Sequence, residues 1–164
     1  MTASPVVVSN NILKRAFNEK IDISPMKLQK ILYFLASEYK KKTGKTLFPE
    51  QFQAWQYGPV LYSVYSEFKN RGAKPIKSYG KDSAGKSYIL SESSNPVFRS
   101  CLDAVWNATK DLSAAQLSRI THMQGSAWSG VYGQGTYITD EAVGADVTYR
   151  QLLGLTALPQ ERQR

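Results

Sequence analysis

The stretch that decides the fold is Ser24-Pro-Met-Lys-Leu-Gln-Lys-Ile-Leu-Tyr-Phe-Leu-Ala-Ser-Glu-Tyr39. Its opening Ser-Pro pair is typical of a helix start, because serine caps free N–H groups and proline needs no partner at the first helical position. Ile23 and Leu28 have the spacing of a hydrophobic staple across that start. Residues 31–35 are apolar nearly all round a helix, so we expect neighbours on several sides. The sequence therefore predicts a central, buried helix over about residues 24–42.

The residues that follow predict where this helix ends. Lys40, Lys41 and Lys42 place cations at the negative end of the helix dipole, and Gly44 can adopt the left-handed conformation that terminates a helix. The chain from Thr46 to Trp55 is short and aromatic. We expect an extended segment or a short strand there, over about residues 52–55.

Helical patterns flank the central helix on both sides. Serine or asparagine precedes proline at Pro5 and Pro96, and Pro59 is placed to open a helix after Gly58. Ser113 and Gln116 have the spacing of a capping box. These signals predict helices over about 5–18, 59–70, 96–106 and 114–122, and a last short helix from a cap at Asp146 through Leu153.

Residues 73–95 are rich in lysine, serine and glycine and break the helical pattern. Residues 76–79 and 87–90 flank a polar tip at 82–85, which predicts a small hairpin lying on the helices. In the preceding helix, Tyr65 falls on the apolar stripe, so we expect it to be buried. Together these patterns predict a mainly α protein: a compact helical domain around one central helix, with a small β-hairpin or short antiparallel strands.

Length and composition limit the class of protein. A chain of 164 residues, 42% of them hydrophobic, can bury one core, so we expect a single domain over residues 1–164 with a flexible tail at about 158–164. No apolar run approaches the roughly 20 residues that span a bilayer, and the N-terminus lacks the basic flank of a signal peptide. The single cysteine, Cys101, cannot form an intramolecular disulfide. We therefore expect a cytoplasmic protein without a membrane partner.

The net charge of +8 is concentrated in two windows. Residues 27–45 hold six lysines against one acid, and residues 69–86 hold five lysines and one arginine against one acid. The rest of the chain is close to neutral. Such windows either are solvated helix ends and loops or steer the protein toward an acidic partner, which could be a protein or a nucleic acid.

The sequence shows no grouping of residues that is typical of a catalytic or metal site. One histidine and one cysteine cannot supply the ligands of a zinc site. A Cys101–His122 nucleophile pair is disfavoured because Cys101 falls on an apolar helical stripe. The glycines of residues 130–135 lack the lysine of a phosphate-binding loop. We expect no metal, no cofactor, no catalytic residue and no enzymatic activity.

The aromatic residues have two interpretations. Trp55, Tyr57, Trp106, Trp128 and Tyr132 mostly alternate with apolar residues, which favours core packing over a platform for stacking bases. Some of them could instead anchor a protein interface, where Trp and Tyr are enriched. The same choice applies to His122, which either closes a helix end or contributes to a groove with Trp128.

Four segments, in order, resemble the Panacea antitoxin domain family. Residues 26–34, MKLQKILYF, resemble its KLQKLLYF helix, and residues 52–60, FQAWQYGPV, resemble its F-x-A-W-x-Y-G-P-V segment. Val64, Tyr65 and Phe68 follow as V-Y-x-x-F. Residues 112–128 are similar to its LS…LS…TH…W segment. The resemblance spans about residues 12–153. The family includes the SocA-like and the phage-associated GepA-like groups.

The resemblance implies an antitoxin of a two-gene toxin–antitoxin system, often carried on a prophage. Such proteins neutralise a cognate toxin by direct protein–protein binding, and some act as adaptors that deliver the toxin to a protease. The toxins include alarmone-synthetase-like enzymes that inhibit translation. A basic nucleic-acid-binding regulator is the alternative from another class, although no DNA-binding module is expected before Ser4 or after Arg164.

The candidate toxin-binding residues come from both lines of reasoning. Lys27, Lys30 and Lys41 fall on one side of the central helix, away from the stripe that contains Leu28. Three further candidates lie in the segments that resemble the family: Tyr57, His122 and Trp128. The stoichiometry of the complex does not follow from the sequence.

Overall fold

The helix predicted over about residues 24–42 lies at the centre of the computed structural model, which describes residues 2–155. Six α-helices and two strands occur in this range, in the following order: α1 (Pro5–Glu19), α2 (Pro25–Thr43), β1 (Gln53–Trp55), β2 (Gly58–Val60), α3 (Tyr62–Phe68), α4 (Pro96–Thr109), α5 (Ala114–Thr121) and α6 (Asp140–Ala145). A short 3-10 helix, Lys69–Arg71, extends α3. The prediction of a mainly α fold with a small antiparallel pair is confirmed.

α2 is buried on nearly every side. It packs against the five other α-helices and against β2. Its residues from Lys27 to Ala36 are all buried, which is the outcome that the apolar sequence around Leu32 predicts. The core of the protein is therefore built around one helix rather than between two layers.

The predicted caps form at three of the helix starts. Ser4, Ser24 and Ser113 each accept a hydrogen bond from a backbone N–H in the first turn, and Gln116 completes the capping box. Gly44 ends α2 with a φ of +74°. Asn95 is the exception, since its side chain donates to the carbonyl of Ser91 instead of capping α4.

β1 and β2 form an antiparallel hairpin with Gln56 and Tyr57 at its turn. Trp55 pairs with Gly58, and Gln53 pairs with Val60. The outer edge of β1 is covered by residues 136–138, which exchange backbone hydrogen bonds with residues 52–54. The extended segment expected over residues 52–55 is confirmed, but the prediction that Pro59 opens a helix is wrong, because Pro59 lies in β2 and α3 begins at Tyr62.

The prediction of a hairpin over residues 76–90 is wrong. The tip at Asp82 does turn, since Asp82 and Lys86 are joined by a backbone hydrogen bond, but no ladder continues from it. The backbone groups of the two arms bind side chains of α1 instead. Asn10 exchanges hydrogen bonds with the backbone of Gly80, and Asn11 does so with that of Leu90. Buried asparagines thus replace the strand pairing that periodicity alone suggested.

The prediction of a last short helix, from a cap at Asp146 through Leu153, is also wrong. Residues 148–154 form turns and no helix, so Asp146 caps no helix there. Its carboxylate is buried and accepts hydrogen bonds from Tyr33, Thr148 and the backbone N–H of Ala127. The tail expected at about 158–164 lies outside the described residues. Within residues 2–155, no helix has the length and apolarity needed to cross a membrane.

Candidate functional site

The β1–β2 hairpin is tied to the helices below it by side chains from three directions. From α2, Lys30 Nζ donates to the carbonyl of Pro59 at 3.0 Å, and Gln29 exchanges two hydrogen bonds with the backbone of Leu61. Ser118 of α5 donates to the carbonyl of Tyr57 at 2.6 Å. Trp128 Nε1 donates to the carbonyl of Trp55, also at 2.6 Å. The hairpin is therefore held in one position relative to α2 and α5.

Gly58 allows the hairpin to approach these helices closely. Its φ is +122°, a conformation that favours glycine. A Cβ at this position would lie 2.7 Å from Cε of Lys30 and 2.7 Å from Oγ1 of Thr121. A side chain at residue 58 would thus push the hairpin away from α2 and α5.

A cleft of about 340 Å³ lies between the hairpin, the start of α2 and α3. We call it the hairpin cleft. Its wall is mainly apolar and is formed by Pro25, Met26, Trp55, Tyr57, Val60 and Tyr65. Lys30 and Gln29 also border it, but both are already hydrogen-bonded to the hairpin and its extension. The cleft offers apolar contact area on a fixed scaffold.

Exposed aromatic side chains surround this cleft. Tyr57 is 59% exposed, Tyr62 is 50% exposed and Tyr65 is 38% exposed. Trp55 packs edge-on against Tyr65, with 4.8 Å between the ring centroids, and lies 6.5 Å from Tyr62. The prediction that Tyr65 is buried is therefore wrong, because its ring packs beside Trp55 at the surface while Val64 and Phe68 form the buried face of α3.

On another side of the hairpin, three rings form an aromatic stack: His122, Trp128 and Tyr132. The ring centroids of His122 and Trp128 are 4.0 Å apart, and those of Trp128 and Tyr132 are 4.5 Å apart. Burial lowers the pKa of His122 and the nearby Lys30 lowers it further, although the backbone of Gln56 raises it. The structure thus brings two predicted site residues, His122 and Trp128, together beside the hairpin that carries a third, Tyr57.

Lys27 and Lys30 do not lie on a free face of α2. Lys27 is 6% exposed and donates to the carbonyl of Lys110 at 2.6 Å, while Lys30 is 1% exposed beneath the hairpin. Burial lowers the pKa of both ammonium groups, that of Lys30 to about 7. The expectation that this side of the helix faces a partner is wrong for these two residues, because the end of α4 and the hairpin cover it.

Lys41 has an internal role as well. Its ammonium group donates to Ser37, to Tyr149 and to the carbonyl of Asp146, and it lies 5.0 Å from the centroid of the Tyr149 ring. Burial lowers the pKa of Lys41 to about 8. The side chain is half-buried and holds residues 146–149 against α2, far along the helix from the hairpin cleft.

Sequence reasoning missed the roles of three residues at this site. Tyr62 was not singled out, and Tyr65 was assigned to the core. The signal that could have found them is the spacing of Tyr62 and Tyr65, which places both on one face of a short helix that begins soon after Trp55. Gln29 was also missed, because no sequence pattern shows that a glutamine inside an apolar helix braces a distant backbone.

The arrangement contains no activated nucleophile at Cys101. The thiol is buried in α4 and burial raises its pKa to about 11, so it is protonated at neutral pH. Among residues 2–155, no group of three or more His, Cys, Asp or Glu side chains is placed to hold a metal ion.

Comparison with known proteins gives two matches. The sequence model of the family described as "Antitoxin SocA-like, Panacea domain" matches residues 28–129, a range that includes most of α2, the hairpin and the aromatic stack up to Trp128. The chain is also 32% identical to Antitoxin SocA from Caulobacter vibrioides over 133 residues, which is 79% of this chain and 71% of that protein. No solved structure matches. The chain therefore belongs to the family of SocA-like antitoxins that contain the Panacea domain.

Proposed function

We propose that this protein is an antitoxin that neutralises its cognate toxin by direct binding, and that the hairpin cleft with its surrounding tyrosines is the toxin-binding surface. The observation that carries the proposal is the cluster of three exposed tyrosines, Tyr57, Tyr62 and Tyr65, around an apolar cleft. Family membership supports the antitoxin role, and the relative from Caulobacter vibrioides is named as an antitoxin.

The physical basis is the contrast between a rigid backbone and exposed aromatic rings. Tyrosine and tryptophan contribute disproportionately to binding energy when their rings enter a well-packed interface. Side chains on a fixed scaffold lose less conformational entropy on binding than side chains on a mobile loop. The hydrogen bonds from Lys30, Ser118 and Trp128 fix the hairpin before any partner arrives.

A nucleic-acid-binding regulator is the second candidate, and the lysines of residues 69–86 favour it. All five of them are exposed and lie on one segment of the chain. Binding through phosphate contacts weakens steeply with salt, whereas an interface with an apolar centre weakens much less. A salt series therefore separates the two functions.

The test is co-expression of this protein with the toxin encoded by the neighbouring gene, followed by co-purification at 0.1 M and 0.5 M salt. We expect growth to be rescued and the two proteins to co-purify at both salt concentrations. Failure to rescue growth would contradict the antitoxin role. Rescue without co-purification, but with loss of the toxin in cells that contain an active protease, would instead support the adaptor mechanism.

A further inference from the structure

The exposed positive charge beside the hairpin cleft comes from the residues that follow α3. Gly72 lines the cleft, and Lys69 and Lys74 lie exposed on either side of it along the chain. Arg71 does not contribute to this side, because its Nε donates to the carbonyl of Pro75 at 3.0 Å and its side chain lines a separate cavity with Glu67 and Tyr79. We call Lys69 and Lys74 the basic rim.

The other basic window contributes little charge near the cleft. Lys27 and Lys30 are buried, and Lys41 is bound to residues 146–149. Lys42 and Lys45 are exposed, but they lie at the far end of a 19-residue helix whose first residues border the cleft. That separation is roughly 25 Å, well beyond the screening length of about 8 Å at physiological salt.

Two acids near α3 are held by neighbouring groups. Glu50 accepts hydrogen bonds from the hydroxyl and the backbone N–H of Ser63. Glu67 accepts one from the backbone N–H of Lys81. Asp22, which precedes α2, is an exposed acid in the same region. These three acids keep their negative charge, but residues 62–81 carry four lysines and one arginine against Glu67 alone, so the segment from α3 onward is positive on balance.

We propose that the hairpin cleft receives a segment of the toxin in which a large apolar or aromatic side chain is flanked by aspartate or glutamate. This inference rests on the proposed function and specifies the chemistry of the partner. The apolar side chain fills the cleft, whose volume of about 340 Å³ is near the lower end of the roughly 300–1,000 Å³ typical of ligand pockets. The carboxylates pair with the basic rim, as charge complementarity requires.

The geometry of the aromatic rings favours a protein segment over a nucleic acid. Bases stack on ring faces that lie open and parallel along a groove. Here the Trp55 and Tyr65 planes meet at 65°, and the planes of Trp55 and Tyr62 at 57°. The rings with parallel planes, His122, Trp128 and Tyr132, already stack on one another.

The first experiment reverses the charge of the rim. The Kd for the purified toxin is measured for the wild-type protein and for Lys69→Glu/Lys74→Glu over a salt series. The matched control is Lys42→Glu/Lys45→Glu, which makes the same change in net charge at the far end of α2. We expect the rim variant to raise Kd at least tenfold and to flatten its salt dependence, while the control changes Kd less than threefold. Equal Kd values for the two variants would overturn the inference and leave the proposed function standing.

The second experiment identifies the toxin segment. A photo-crosslinking benzoylphenylalanine replaces Tyr57, and the cross-linked toxin peptide is identified by mass spectrometry. We expect a peptide with a large apolar residue and at least one aspartate or glutamate within four positions of it. A peptide without acidic residues, or no cross-link in a complex that still forms, would contradict the inference.

Two further outcomes separate this inference from the proposed function. If the wild-type protein does not bind the toxin at all, the proposed function fails and the inference fails with it. If a labelled random-sequence DNA duplex binds as tightly as the toxin and the rim variant abolishes that binding, the rim is a nucleic-acid surface and the inference is wrong.

Discussion

Lys30 in the central helix donates a hydrogen bond to the carbonyl oxygen of Pro59 in the hairpin, with 3.0 Å between the two atoms. The ammonium group is buried, and burial lowers its pKa to about 7. A neutral amine donates the same hydrogen bond without the cost of burying a charge. This contact therefore joins the core helix to the proposed binding surface, and its strength depends on pH.

The burial of Lys30 makes stability depend on pH. The pKa of Lys30 is about 7 in the folded protein and near 10.5 in the unfolded chain, so the unfolded state binds more protons between these values. Stability must then rise with pH across that window, by roughly 1.4 kcal/mol per pH unit for one such group. Lys30→Met keeps the size of the side chain and removes this contribution. We expect the stability of the wild-type protein relative to Lys30→Met to rise by roughly 2–3 kcal/mol between pH 7 and pH 9.

Urea unfolding of both proteins at the two pH values measures this change. The other titrating groups, including Lys41 and Cys101, are common to both proteins and cancel in the difference. If the difference in the free energy of unfolding between the two proteins stays constant from pH 7 to pH 9, Lys30 is charged in the folded state across this range.

Gly58 is expected to be the least tolerant glycine of the hairpin region. Gly58→Ala places a Cβ 2.7 Å from atoms of Lys30 and Thr121 in a backbone conformation with φ of +122°. Strain and overpacking together should cost roughly 3 kcal/mol or more in the free energy of unfolding. Gly85→Ala is the matched control, since φ there is +78° and its Cβ would meet nothing within 4 Å.

Gly85→Ala should lower the free energy of unfolding by only about 1 kcal/mol, which is the strain of alanine in the left-handed conformation. Chemical denaturation of the two variants gives both values. Equal losses for Gly58→Ala and Gly85→Ala would mean that close packing of the hairpin against α2 and α5 does not matter to the fold.

Asp146 is expected to be a structural carboxylate. It is buried, and its two oxygens accept from the backbone N–H groups of Ala127 and Thr148, one each, as well as from Tyr33. Asp146→Asn replaces one of these acceptor oxygens with an NH2 donor, which then faces a backbone N–H that can only donate. We expect a loss of roughly 2–4 kcal/mol in the free energy of unfolding. Glu141→Gln, at an exposed position of α6, should change it by less than about 0.5 kcal/mol. A loss at Asp146 no larger than that of the control would contradict this role.

The sequence predicted the parts of the fold that depend on local signals. The Ser-Pro starts at Ser4 and Ser24, the capping box at Ser113 and the terminating Gly44 are short-range features, and the structure contains them all. The central position of α2 followed from its apolar composition. These predictions needed no knowledge of what each element packs against.

The sequence failed where a side chain from one segment satisfies the backbone of another. Asn10 and Asn11 hold the segment that periodicity assigned to a hairpin, and Gln29 braces Leu61 across the core. Contacts between distant segments also explain the errors at the candidate site. Lysines at helical spacing suggested an exposed face, but Lys30 lies under the hairpin because Gly58 leaves room for it. Tyr57, His122 and Trp128 are candidates because of their residue types and because of the family resemblance, and their toxin binding stays a prediction.

The most direct test of the account is a titration of the purified toxin with Tyr57→Ala/Tyr62→Ala. Both side chains are at least half exposed and border or adjoin the hairpin cleft, so their removal should leave stability nearly unchanged. Tyr88→Ala is the control, since Tyr88 is 53% exposed and lies on the segment that α1 holds. We predict that the double variant raises Kd at least tenfold, a loss of about 1.4 kcal/mol or more, and no longer rescues growth, while the control behaves as wild type. A double variant that binds and neutralises the toxin as well as the wild-type protein would contradict the account.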